Sequence, residues 1–373
     1  MRIEELTFFR FIAAAIVVIF HFGREATGFT GILVSGPQMV TFFFVLSGFV
    51  MGIAYHGKVI NNRSYWWARV ARIMPVYLLA MALMLLSIYT QGESINILSL
   101  ALNLSLLQSW FSPHPLTINI PGWSLSVEAF FYLTFPFLLR GIKNHNLSVS
   151  QMFAISISIW LLTQIITTIA LTKGFYSGFP SLSHDLIFYF PLTHFCSFLL
   201  GVSGALWFIR TNISISNESA SLLLFGSALL LIITILNNEV EISNSTGLSI
   251  AFSSSFYAPI FLIFIVTVGL CRSKSIKMLS SRPLVLLGEA SFSLYILQVP
   301  AHQIYTKYIS NMYALPPLQN FTLFFVLLTV ASILSYLSFE KPAMKLIRYT
   351  LPVVAGRTAN KYIKPSQKDS PLM

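Results

Sequence analysis

Ten stretches of roughly 17–25 predominantly apolar residues follow one another along this chain, near 6–23, 37–55, 72–91, 121–140, 150–172, 186–208, 219–237, 250–270, 284–306 and 320–340. A hydrocarbon layer about 30 Å thick takes about 20 residues of α-helix to cross. Each stretch is therefore predicted to be a membrane-spanning helix, and the chain an all-α polytopic membrane protein of about ten transmembrane helices. Composition agrees: 55% of the residues are hydrophobic and 9% are charged, against about 25% charged in soluble domains. The stretch 96–110 is apolar but short and carries Asn96, Asn103 and Gln108, which predicts an interfacial or re-entrant helix. No basic region precedes the first apolar run and no small-residue cleavage site follows it, so it is expected to stay as a helix. Cys196 and Cys271, the two cysteines, lie in or beside apolar segments and imply neither a disulfide framework nor a metal site.

The net charge of +11 is a matter of topology, not of nucleic-acid binding. With the N-terminus in the cytoplasm and the ten spans alternating, nineteen Lys and Arg fall on the cytoplasmic side, three (Arg24, Lys173 and Lys307) fall outside, and Arg10 lies within the membrane. That bias is a positive-inside signal and puts both termini in the cytoplasm. The excess charge then faces lipid headgroups. Residues 1–342 read as one transmembrane domain and 343–373 as a basic cytoplasmic tail.

Several polar residues go unexplained by the membrane. Arg10 and His21 sit in the first span, where a charge at bilayer depth costs roughly 2.5–3.5 kcal/mol on insertion scales unless it is paired or hydrated. Their spacing of eleven residues returns them to nearly one helix face, about 16 Å apart along the axis. Arg69 and Arg72, at i and i+3, open the third span; they read either as snorkelling anchors or as a phosphate clamp, since paired guanidiniums suit diphosphate geometry. Glu128, in the run Trp123-Ser124-Leu125-Ser126-Val127-Glu128, needs a partner in the fourth span. It reads as a structural ion pair, a protonated core acid, or a group that orients a histidine or binds a sugar hydroxyl. Ser47 and Gly48 among phenylalanines predict close helix packing. Glu340 beside Lys341 reads as an interfacial pair, and His184 beside Asp185 as the one remaining histidine of interest.

Taken in order, these residues resemble the acyltransferase 3 family of membrane acyltransferases. Arg10 and His21 match its R-x10-H. Thr41 to Phe49 resembles its FFVLSGF stretch, and Arg69 to Pro75 its RxxR with a following proline. Trp123 to Glu128 matches its WSLSVE, Leu287 to Leu297 resembles its LGxxSYSLYL, and Phe339 to Pro342 its closing E-x-P. Two departures stand out: Gln298 where the family often has histidine, and Phe292 where tyrosine is usual.

The resemblance implies an O-acyltransferase of the bacterial inner membrane. It would move an acyl group, usually acetyl, from cytoplasmic acyl-CoA to a hydroxyl of a carbohydrate or lipid-linked glycan on the outer side, without a metal. On that reading Arg69 and Arg72 hold the CoA phosphates, with Arg10 deeper along the pantetheine path. His21 is the general base or the transient acyl carrier, and Glu128 orients it. Ser124 and Ser126, beside Trp123, support the oxyanion. The competing reading is a proton-coupled secondary transporter, which would also bury Arg, His and Glu among its helices.

Overall fold

The computed structural model describes residues 3–28, 31–211, 213–310, 312 and 315–350. Ten principal helices carry the fold: α1 (Glu5–Val18), α2 (Gly36–Tyr55), α3 (Asn62–Thr90), α4 (Gly122–Asn144), α5 (Val149–Thr172), α6 (Pro191–Arg210), α7 (Glu218–Asn237), α8 (Ala258–Leu270), α9 (Arg282–Tyr305) and α10 (Pro317–Ser335). Among the described residues there is no strand, only an isolated parallel bridge between Ile215 and Cys271.

Among the described residues, nine helical segments are long and apolar enough to cross a membrane. The eighth expected span, 250–270, differs: α8 has 13 residues, and the chain before it, Phe252–Phe256, is broken at Ser254 (φ −111°, ψ 78°) and Ser255 (φ 63°). Open backbone at membrane depth is tolerated only where protein satisfies it. Here Ser254 and Ser255 are fully buried. Gln164 Nε2 donates to the Ser254 carbonyl at 3.1 Å, and Trp160 Nε1 donates to that of Ser255 at 2.9 Å. Both donors belong to α5, so one neighbouring helix takes over the hydrogen bonds that a continuous α8 would have made itself.

The stretch 96–110 is a short helix, Ile97–Leu104, followed by a single 3-10 turn, Gln108–Trp110. Its polar residues turn inward: Asn103 and Gln108 are fully buried. Asn103 Nδ2 donates to Thr117 Oγ1 at 3.0 Å, and Gln108 Nε2 donates to the Gly122 carbonyl at 2.8 Å. These bonds tie the segment to the start of α4.

Two close helix contacts set the frame of the site. Gly48 on α2 and Gly201 on α6 pack against each other's backbone. A Cβ on Gly48 would lie 2.1 Å from the Phe198 carbonyl oxygen, and one on Gly201 would lie 2.1 Å from that of Val45. No other residue type fits there, which is how small residues let apolar helices approach in lipid. Gly288 does the same between α9 and α1, where a Cβ would lie 1.9 Å from the Thr7 carbonyl oxygen. It draws α9 onto α1 one turn before Arg10. After α10 the chain makes a π turn, Tyr336–Glu340, and a helix, Lys341–Thr350. The rest of the basic tail, 351–373, lies outside the described residues.

Candidate functional site

A cavity of about 450 Å³ opens between α1, α2, α3, α4 and α9 and the π turn after α10. Six charged side chains line it: Arg10 from α1, Arg69 and Arg72 from α3, Glu128 from α4, Glu289 from α9 and Glu340 from the π turn. The i, i+3 spacing of Arg69 and Arg72 puts both on the α3 face that looks into the cavity. Three guanidiniums thus face three carboxylates.

Most of these groups are held by aromatic or hydroxyl neighbours. Tyr132, one turn beyond Glu128 on α4, donates its hydroxyl hydrogen to Glu128 Oε1 at 2.8 Å. Tyr336 donates to Glu289 Oε2 at 2.9 Å, and Ser293 to Glu340 Oε2 at 2.8 Å. The Arg69 guanidinium carbon sits 5.6 Å from the Tyr132 ring centre and 5.8 Å from that of Tyr65, within cation–π range. Its Nη1 approaches Met51 Sδ at 3.5 Å. Its Nε is buried and has no hydrogen-bond partner among the described residues. A buried donor left unmade is costly, so this guanidinium gains from any acceptor that reaches it.

His21 stands elsewhere. It lies on the π turn Ile19–Gly23 that continues α1, and the residue is exposed. Its Nδ1 is 3.0 Å from Gln298 Oε1 of α9. Gln298 is six residues beyond Phe292, which lines the cavity, so it sits about 9 Å further along α9. Arg10 and His21 therefore both border α9, one at the cavity and one beyond it. Tyr295 lies between them: its ring packs 5.9 Å from that of Phe43 in the cavity wall, and its hydroxyl meets Ser124 Oγ at 2.8 Å.

The structure thus gathers Arg10, Arg69, Arg72 and Glu128 and keeps His21, Trp123, Ser124 and Ser126 outside that cavity. Glu128 faces Tyr132, while the neighbour of His21 is Gln298. Ser124 donates to the Pro121 carbonyl at 2.9 Å and Ser126 to that of Leu106 at 2.7 Å, so each hydroxyl hydrogen is committed to backbone. Trp123 is buried, with ring centres 5.0 Å from Tyr189 and 5.4 Å from His194. His184 bonds through Nδ1 to the Tyr176 hydroxyl at 3.0 Å, and Asp185 accepts from Ser112 at 2.6 Å.

Glu340 is a correction: it is buried in the cavity wall rather than paired at an interface with Lys341, because the π turn rotates it toward Ser293. Tyr132 and Gln298 are the contributors that spacing alone did not single out. Tyr132 is i+4 from Glu128, a pairing that helix geometry makes available. Gln298 has no comparable signal in its spacing and stands out in the sequence only as a departure from the family pattern.

The acyltransferase 3 family, whose model is described as an acyltransferase domain, matches residues 3–339. A curated relative, the acyltransferase MdmB of Streptomyces mycarofaciens, is 32% identical over 159 residues, which is 38% of this chain and 41% of the relative. The chain thus spans about two fifths of the length of that curated relative. No solved structure matches.

Proposed function

Because this chain belongs to the acyltransferase 3 family, we propose that it is a membrane O-acyltransferase, with residues 1–342 as its working unit. The donor is acyl-CoA from the cytoplasm, acetyl-CoA first among the candidates. The acceptor is a hydroxyl of a carbohydrate or lipid-linked glycan across the membrane. The nineteen-to-three distribution of Lys and Arg supports a cytoplasmic position for both termini in a bacterial inner membrane.

One observation carries this reading above the others. Arg69, Arg72 and Arg10 line one cavity, and α9, which borders that cavity through Glu289 and Phe292, also carries Gln298, the neighbour of His21. Guanidiniums are the side chains of choice for phosphate oxygens, through planar, charge-assisted hydrogen bonds. Arg69 and Arg72 hold the CoA phosphates, and Arg10 lies deeper along the pantetheine. His21 takes the proton of the acceptor hydroxyl as its oxygen attacks the thioester carbonyl carbon. The C–S bond then breaks, and the proton passes on to the leaving thiolate. Glu128, held by Tyr132, balances the arginines of the donor cavity.

The test pairs binding with transfer. Acetyl-CoA should raise the unfolding temperature of the purified protein, and membranes containing it should move label from [14C]acetyl-CoA to the glycan fraction. His21→Ala should lose the label while keeping the thermal shift. Absence of both stabilisation and labelling in the unaltered protein would sink the proposal and favour a proton-coupled transporter.

A further inference from the structure

The amide of Gln298 is oriented by its own surroundings. It is fully buried, and its Nε2 donates to the Tyr295 carbonyl at 2.7 Å. The amide nitrogen is thereby spent on an acceptor, so the amide oxygen must be the atom that faces His21 Nδ1, 3.0 Å away. An amide oxygen can only accept. A hydrogen bond across this pair therefore requires the hydrogen to be on Nδ1. In a neutral imidazole that leaves the lone pair on Nε2. The opposite tautomer would set two lone pairs against each other and leave a buried oxygen unsatisfied.

The local fold keeps this arrangement in place. Pro300 lies inside α9 and has no N–H, so the Ile296 carbonyl, four residues earlier, loses its helical partner. Asn119 Nδ2 takes up that carbonyl at 3.1 Å. The Tyr295 carbonyl beside it receives Gln298, and the Tyr295 side chain is pinned by Ser124. The backbone on which Gln298 rests is thus anchored from the segment before α4. His21 itself sits on a π turn and is an exposed residue, and with Nδ1 engaged by Gln298, Nε2 is the nitrogen left for chemistry.

We infer that Gln298 is a positioning residue that locks His21 in its Nδ1–H tautomer and so assigns proton transfer to Nε2. This rests on the role proposed for His21 above. Gln298 is uncharged, so it orients the imidazole without supplying the counter-charge that a carboxylate would. In the transfer step, Nε2 takes the acceptor proton while Nδ1 keeps its own. The ring is briefly a cation with both N–H groups occupied, and Nε2 gives its proton to the departing thiolate.

Nuclear magnetic resonance on protein labelled with 15N-histidine reads the tautomer directly, with His21→Ala identifying the signal. The expected result is one His21 species protonated on Nδ1. In Gln298→Met, which has similar length but only a weakly accepting thioether, the signal should shift toward the Nε2–H form or a mixture. Gln298→Glu, which keeps the acceptor oxygen, should hold the hydrogen on Nδ1. Acetyl transfer from acetyl-CoA should fall about 10- to 100-fold in Gln298→Met with the KM for acetyl-CoA unchanged, as expected for a lost proton-transfer contribution, and should recover in part in Gln298→Glu. An Nε2–H signal in the unaltered protein, or a signal unmoved by Gln298→Met, would overturn the assignment. The spectrum is read without turnover, so it tests the lock separately from whether His21 transfers acyl groups.

Discussion

Tyr132 donates a hydrogen bond to Glu128 Oε1 at 2.8 Å, and the same tyrosine ring faces the Arg69 guanidinium at 5.6 Å. One side chain thus links an acidic and a basic wall of the cavity, touching the anion through its hydroxyl edge and the cation through its face. Removing the hydroxyl alone separates the two contacts. Tyr132→Phe should keep the cation–π contact and leave a Glu128 oxygen unpaired, at a cost of about 1–3 kcal/mol. A lowered thermal unfolding midpoint in detergent checks this. An unchanged midpoint would mean that water replaces the hydroxyl without loss.

Arg69 should not tolerate its usual conservative replacement. Lysine keeps the charge but loses the planar fork and the Nε donor. Both Arg69→Ala and Arg69→Lys are expected to weaken acetyl-CoA binding by tenfold or more, measured by titration calorimetry on the purified protein. Arg72→Ala should do likewise. Full affinity in Arg69→Lys would reduce this residue to a point charge.

Gly48→Ala is expected to destabilise the protein by about 1–3 kcal/mol or more, the range for overpacked contacts. The added carbon meets the backbone of α6, 2.1 Å from the Phe198 carbonyl oxygen, and backbone cannot swing aside as a side chain can. Gly141→Ala, where no atom lies within 4 Å of the added carbon, is the matched control and should leave the midpoint unchanged or slightly raised, since alanine is the better helix former.

Glu239 gives a pH dependence away from the spans. It lies between α7 and α8 and accepts from the Tyr257 hydroxyl at 2.7 Å and from Gln38 Nε2 at 2.9 Å. Burial raises its pKa above the ordinary carboxyl value, with the two hydrogen bonds opposing. An acid whose folded pKa is raised favours the folded state while protonated and loses that contribution as pH rises through the folded pKa. The stability of Glu239→Gln relative to the unaltered protein should therefore grow as pH climbs from the ordinary carboxyl range. Unfolding midpoints of both proteins across pH would show this as diverging curves, and parallel curves would contradict it.

The spans could be read from sequence because hydrocarbon thickness acts on composition alone: α2, α5 and α7 begin and end within a residue of their apolar windows. The break at Ser254 and Ser255 could not. Its hydrogen bonds come from Trp160 and Gln164, 95 and 90 residues away, and no local pattern announces a donor on another helix. Arg69 and Arg72 advertised a common face through their spacing, whereas the bond between His21 and Gln298 spans 277 residues. Glu340 misled for the opposite reason. Its neighbour Lys341 suggested a surface pair, but a π turn directs the acid inward and leaves the Lys341 ammonium near the Tyr336 ring, 5.8 Å from its centre.

The cavity's three guanidiniums and three carboxylates have an electrical consequence. Empty, its formal charges cancel. A polyphosphate entering such a place brings several negative charges that nothing there is left over to neutralise, and a low-dielectric wall makes that imbalance expensive. Electroneutrality then has to be restored by protons settling on the carboxylates or by metal or potassium ions carried in with the guest. The first route makes the heat of association depend on the ionisation enthalpy of the buffer; the second makes affinity depend on which cation the buffer contains.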